Sequence, residues 1–214
     1  FTSSVKFELF QRLNTLGSKL SDQEVRNCLL VMINKPFYEW LRNLAKYQNF
    51  IDAIAIPDSL QEQQYNMELA LRFIMLRDID VAAIKTTQDL GAFITEKMIE
   101  YASSTTFNKC KEEAIFKRTF DYLYTNMNEY SFKKYNSTKG RFEGKFLLSA
   151  FESVAIGVSK NIDIVETKTD SEFEAKLIDH WSNPDFIAKT GSGVNVTSRV
   201  PSIIPIGIST FSFV

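Results

Sequence analysis

Apolar residues recur at three- and four-residue spacing along most of the chain, the mark of amphipathic helices. Val5, Leu9, Phe10 and Leu13 make one such stripe, capped by Ser3 or Ser4 and broken by Asn14-Thr15-Leu16-Gly17. Ser21-Asp22-Gln23-Glu24 has the spacing of a capping box, with a serine at the N-cap and a glutamate three residues on. Val25, Cys28, Leu29, Met32 and Ile33 follow as an apolar stripe, and Pro36 suits the first turn of a further helix carrying Phe37, Trp40, Leu41 and Leu44. Residues 49–64, with Pro57 inside, read as a loop. Residues 65–77 are apolar on nearly every side and predict a central buried helix. Further stripes start at Leu90, Phe116, Leu147 and Phe173. The fold class is therefore mainly α, an irregular bundle of about eight helices. Residues 128–145 lack helical period and predict a basic loop. Residues 1–188 read as one helical domain, and residues 189–214 as a flexible connection leading to a docked C-terminal segment around Ile203, Ile204, Ile206, Ile208 and Phe211.

Composition sharpens this picture. The 214 residues are enough for one domain with a real core. Apolar residues at 44% exclude disorder, and 13 Gly and Pro (8 and 5) are few for a β-sandwich. The 18 Phe residues need burial. A net charge of -1 excludes a histone-like binder, though not a local basic patch. Cys28 and Cys110 sit in helical, apolar contexts and predict buried thiols in a reducing cytoplasm. No CxxC or Cys/His cluster predicts a metal site. No apolar run reaches the roughly 18 residues of a membrane helix, and the sequons at Asn136 and Asn195 read as chance. The chain opens on Phe1 and reads as a piece whose earlier part is absent.

The polar stretch from Phe10 to Asn27 carries the most information. It describes a helix end, a turn and a capped helix start, with Arg12 and Asn14 at the turn and Glu24 and Arg26 in the first turns of the next helix. A helix N-terminus attracts anions, and an arginine beside it can hold phosphate. Spacing alone leaves a second reading open: a cap and ion pairs that fix one corner of the fold.

This stretch, Phe10-Gln11-Arg12-Leu13-Asn14-Thr15-Leu16-Gly17 through Leu20-Ser21-Asp22-Gln23-Glu24-Val25-Arg26-Asn27, resembles the F-x-R-[LI]-N-T-x-G-x-x-L-S-x-Q-E-[IV]-R-N pattern of the domain-of-unknown-function 262 family, ParB/sulfiredoxin-related proteins typified by GmrS-type restriction subunits. Glu68 to Phe73 is similar to that family's E-x-x-x-R-F helix, and Phe146 to Glu152 to its F-x-x-S-x-F-E helix. Trp181-Ser182-Asn183 and Thr190-Gly191-Ser192-Gly193 resemble its C-terminal signature. The resemblance implies bacterial restriction or phage defence. It implies a helical part that completes a nucleotide- or DNA-binding cleft with an upstream ParB-like domain bearing a D-G-Q-Q-R motif. That motif is not in this sequence. The resemblance thus implies no catalytic residue or cofactor for this chain alone, with nucleotide and Mg belonging to a longer protein, and it sets Arg12, Asn14, Glu24 and Arg26 at the cleft. DNA and a second copy of the chain are the other partners considered; a membrane is not. The rival reading is a non-catalytic helical interaction module.

Three further groups are candidates. Glu68 and Arg72 are four apart in an apolar helix, where they read as a structural ion pair. Lys133, Lys134, Lys139, Arg141 and Lys145, interleaved with Phe132, Tyr135 and Phe142, suit a DNA backbone, or simply a solvated loop. His180, the sole histidine, lacks the partners of a metal site and reads as a surface or partly packed residue.

Overall fold

Ser21 accepts a hydrogen bond from the Glu24 backbone N–H at 3.3 Å, and the Glu24 carboxylate accepts from the Ser21 N–H at 2.7 Å. This reciprocal cap starts α1 (Asp22–Ala45). In the computed structural model, which describes residues 21–78, 80, 89–191, 194 and 196–214, α1 is the longest element. It kinks at Asn34, whose φ of -153° and ψ of 88° leave the helical region. The Asn34 side chain recaps the second half by accepting from the Phe37 N–H at 3.0 Å, and Pro36 lies in that new first turn, where its missing N–H costs nothing. The stripe expected to start near Phe1 lies outside the described residues.

The helices α2 (Gln48–Ile54) and α3 (Asp58–Glu62) replace the loop expected over residues 49–64. Seven and five residues are too few turns to display a 3.6-residue period. Pro57 N-caps α3 rather than breaking structure. The central helix α4 (Tyr65–Arg77) is buried from Leu69 through Arg77, as its all-round apolarity predicts. α5 (Leu90–Ser103) and α6 (Lys109–Met127) follow.

The basic loop is instead a hairpin. Strand β1 (Lys134–Asn136) pairs antiparallel with β2 (Arg141–Glu143), Tyr135 opposite Phe142. Phe132 and Phe142 are buried, so they anchor the hairpin to the core. Strands of three residues give no alternation to read in a sequence.

Leu148–Ala150, Phe151–Ala155 and Ile156–Lys160 run on as one helix, α7, with π geometry in the middle segment. The chain ends in α8 (Ile162–Val165), α9 (Asp170–Ser182), α10 (Pro184–Thr190) and α11 (Val196–Thr210). Eleven helices among the described residues exceed the expected eight, because α2, α3, α8 and α10 are short. Residues 189–202, read as a loose connection, hold the end of α10 and the start of α11. The apolar C-terminal segment does dock. α11 packs on α7 so closely that a Cβ on Gly157 would meet the Gly207 carbonyl oxygen at 2.4 Å. Ser153 and Asn161 of the α7 side donate to the Ile203 and Ile208 carbonyls of α11 at 2.7 and 2.9 Å.

The abundant phenylalanines fill the centre. Phe50, Phe73, Phe116 and Phe120 join α2, α4 and α6 with centroids 4.6 to 5.3 Å apart, and Phe120 and Phe132 continue the cluster to Phe151 of α7.

Candidate functional site

The first turns of four helices meet at one cleft of about 300 Å³. Its walls include Asp22 and Arg26 of α1, Glu68 and Arg72 of α4, Asp89 and Gly91 at the start of α5, and Val196 and Thr197 of α11. Helix N-termini carry partial positive charge and free N–H groups, so this convergence favours an acceptor-rich ligand.

Arg26 is 3% exposed. Its Nε donates to Thr95 Oγ1 at 3.1 Å and its Nη1 to Gln23 Oε1 at 3.3 Å, both neutral oxygens. Among the described residues no carboxylate lies within 4.0 Å of it, whereas the neighbouring Arg72 has two. Burial lowers the Arg26 guanidinium from its ordinary value; Glu68 and Asp22 pull it back and Arg72 opposes them. A buried cation without an ion pair is costly to hold, which makes Arg26 the unusual residue of the cleft. Gly91 keeps the approach to it open: a Cβ there would stand 3.5 Å from Arg26 Nη2 and 3.2 Å from Asp89 Oδ1. Thr95 is held in turn by donating to the Gly91 carbonyl at 2.8 Å. Gln23 also donates to Asn27 at 2.8 Å, and Asn27 donates to Gln64.

Behind Arg26 lies a ladder of alternating charge. Arg72 donates to Glu68 at 2.8 Å and to Glu152 at 2.7 Å; Arg199 donates to Glu152 at 2.9 and 3.1 Å. Glu152 is fully buried in the π segment of α7. Burial lowers the Arg72 guanidinium, but Glu152 and Glu68 outweigh it and hold it above its ordinary value. Arg72 Nε is buried without a hydrogen-bond partner.

The Glu68–Arg72 pair is thus present, and two members were missed. Glu152 and Arg199 had a signal: each is a lone charge amid apolar and small residues, as buried ion-pair members are. The expected stripe of α1 is also rotated. Its inward face runs through Gln23, Arg26, Asn27, Leu29 and Leu30, while Val31 and Met32 are exposed. The helix turns polar side chains inward because the cleft supplies their partners.

Of the remaining candidates, Arg12 and Asn14 lie outside the described residues. Glu24 is occupied by the cap, whose N–H lowers its carboxylate. In the hairpin, Lys133 pairs with Glu129 at 2.8 Å, and Lys139 and Arg141 with Glu143 at 2.9 and 3.1 Å. Lys139 and Asn136, hydrogen-bonded to Glu143, hold its carboxyl down at about 2. Lys134 and Lys145 have no carboxylate within 4.0 Å among the described residues and line a shallow cleft of about 480 Å³ with Tyr135 and Asn136.

Comparison with family models, curated proteins and solved structures finds no match for this chain.

His180 corrects the expectation of a surface or partly packed residue. It is 1% exposed, held by Thr210 at 3.2 Å and stacked on Phe186 at 4.0 Å. Burial pushes its imidazole down to about 4. Among the described residues no three His, Cys, Asp or Glu side chains gather to hold a metal, and no helix is long and apolar enough to cross a membrane. The cysteines also differ from expectation: Cys28 is half-buried and Cys110 exposed, because α1 is rotated and Cys110 lies in the outward first turn of α6.

Proposed function

We propose that this chain is the helical part of a bacterial defence-type protein related to the domain-of-unknown-function 262 family, acting in the cytoplasm. Its cleft at the head of α1 completes a nucleotide- or DNA-binding cleft with an upstream ParB-like domain. The observation that carries this reading is Arg26, buried, without an ion pair and facing an open cleft ringed by helix N-termini. The positions of the quoted motifs add support. Arg26, Glu68 with Arg72, and Glu152 come from three separate motifs and gather around this one cleft.

The lining also carries Asp22, Glu68 and Asp89. Glu68 is engaged by Arg72, and Asp89 accepts the Gly91 N–H at 2.8 Å. A bare phosphate would still meet repulsion from these carboxylates. A phosphate carried in with Mg suits the mixed lining better, with Asp22 and Asp89 beside the cation and Arg26 toward the oxygens. The hairpin cations Lys134 and Lys145 then serve the DNA backbone.

The test is titration of the chain with a fluorescent nucleoside triphosphate plus Mg, and with a labelled DNA duplex across a salt series. Binding of either, weakened roughly tenfold or more by Arg26→Gln at an unchanged melting temperature, is expected, since charged hydrogen bonds contribute about 1.5–3 kcal/mol. No binding of either ligand at low salt rejects the reading. It leaves the interaction module, which the exposed apolar patch at Val31 and Met32 favours.

A further inference from the structure

The rotation of α1 leaves apolar side chains on its outer side. Cys28, Val31, Met32 and Tyr38, with Asn27, line a groove of about 420 Å³. Val31 and Met32 are 44% and 42% exposed, adjacent large apolar residues in a chain where most such groups are buried. Tyr38 also lines a second crevice of about 290 Å³, whose other walls include Arg42, Lys46, Gln61 and Gln64. The two form one track across the Asn34 kink, apolar at one end and cationic at the other. Arg42 lies over the Tyr38 ring at 5.8 Å, at the point where the two halves join. Among the described residues neither Arg42 nor Lys46 has a carboxylate within 4.0 Å, unlike Lys35, Lys97 and Lys117 on neighbouring surfaces.

We propose that this track docks an acidic amphipathic helix of a partner protein. Its apolar side chains would cover Val31, Met32 and Tyr38, and its carboxylates would meet Arg42 and Lys46. The charge pattern selects this occupant. An apolar strip ending in two unpaired cations is complementary to a helix with an apolar stripe and carboxylates at one end. A membrane surface would instead demand cations along both flanks of the strip. The track is separate from the charged cleft, and binding there is independent of Arg26.

The experiment uses the chain with two labelled helical peptides of about five turns, one Leu/Glu and one Leu/Lys, sharing one apolar stripe. The Leu/Glu peptide is expected to bind roughly tenfold tighter. Met32→Asp and Val31→Asp each weaken it by about tenfold or more, as loss of a central anchor does. Arg42→Glu with Lys46→Glu reverses the preference between the peptides. Both aspartate changes are at exposed positions, and circular dichroism checks that the fold is kept. Equal binding of the two peptides, or binding indifferent to Met32→Asp, overturns the proposal. So does a concentration-dependent dimer that Met32→Asp dissolves, since the occupant is then a second copy. Tighter binding to phosphatidylserine vesicles than to the Leu/Glu peptide overturns it in favour of a lipid surface.

Discussion

Glu152 has no exposed surface and accepts from two guanidinium groups, so its removal leaves both without their shared anion. Glu152→Ala is expected to cost about 3–5 kcal/mol, read from denaturant unfolding, as when one partner of a buried pair is deleted. Glu152→Gln keeps the shape and two of the contacts, and should cost less. A cost for Glu152→Ala no larger than that of an exposed pair, such as Lys35–Glu39, would mean that Arg72 and Arg199 find other partners. His180 acts through pH instead. Its folded value, about 4, lies below the ordinary 6.5, so the unfolded chain binds the proton first. Stability from this residue is complete above pH 6.5 and falls as pH drops toward 4, by on the order of 3 kcal/mol in all. His180→Phe should flatten that part of the pH–stability curve, measured by melting between pH 4 and 7. The charge of Arg26 and its position on α1 were legible in the sequence. Its isolation was not, because that depends on where Glu68, Arg72 and Asp89 stand in three dimensions.

Elements were legible in proportion to their length and to the chemistry of their ends. α1 declared itself through Ser21 and Glu24, and Ser21→Ala should lower stability by about 1 kcal/mol. α9 has the same device in Thr169 and Glu172, and Asn183 caps α10 by accepting from the Asp185 and Phe186 N–H groups. The face of α1 was misread because the hydrophobic pattern presumes that polar residues point outward, and the cleft reverses this for Gln23, Arg26 and Asn27. α11 was read as docked but not as a helix, since Pro201 and Pro205 lower helical propensity. Tertiary packing overrides them. Gly207 lies against α7, where an added Cβ would fall 2.1 Å from the Ser153 carbonyl oxygen. Gly207→Ala must therefore push the two helices apart. The expected loss is about 1–3 kcal/mol, measured by thermal melting, and an unchanged melting temperature would show that α11 can shift without loss.

For the molecule as a whole, composition foretold a helical fold with a phenylalanine-rich core, and that is what forms. The sequence could not show that the last helix closes both the core and the cleft. Phe211 packs on Phe173 at 5.5 Å while Arg199, near the other end of α11, holds Glu152. Ending the chain after Thr190 would uncover both. Such a truncation is expected to lose its sharp thermal transition and to bind a hydrophobic dye, whereas replacing the exposed turn at residues 137–140 should leave the transition within roughly 0.5 kcal/mol.

The π segment of α7 has a consequence for how the chain tolerates change in length. Its extra residue per turn sets the helix face before Phe151 out of phase with the face after Ala155. One rod thereby offers Phe151 to the aromatic cluster and Gly157 to α11. A deletion of a single residue within Phe151–Ala155 would restore ordinary helical phase and swing Gly157 about 100° around the axis. Homologous chains that keep α11 in place should therefore carry no gap in these five positions.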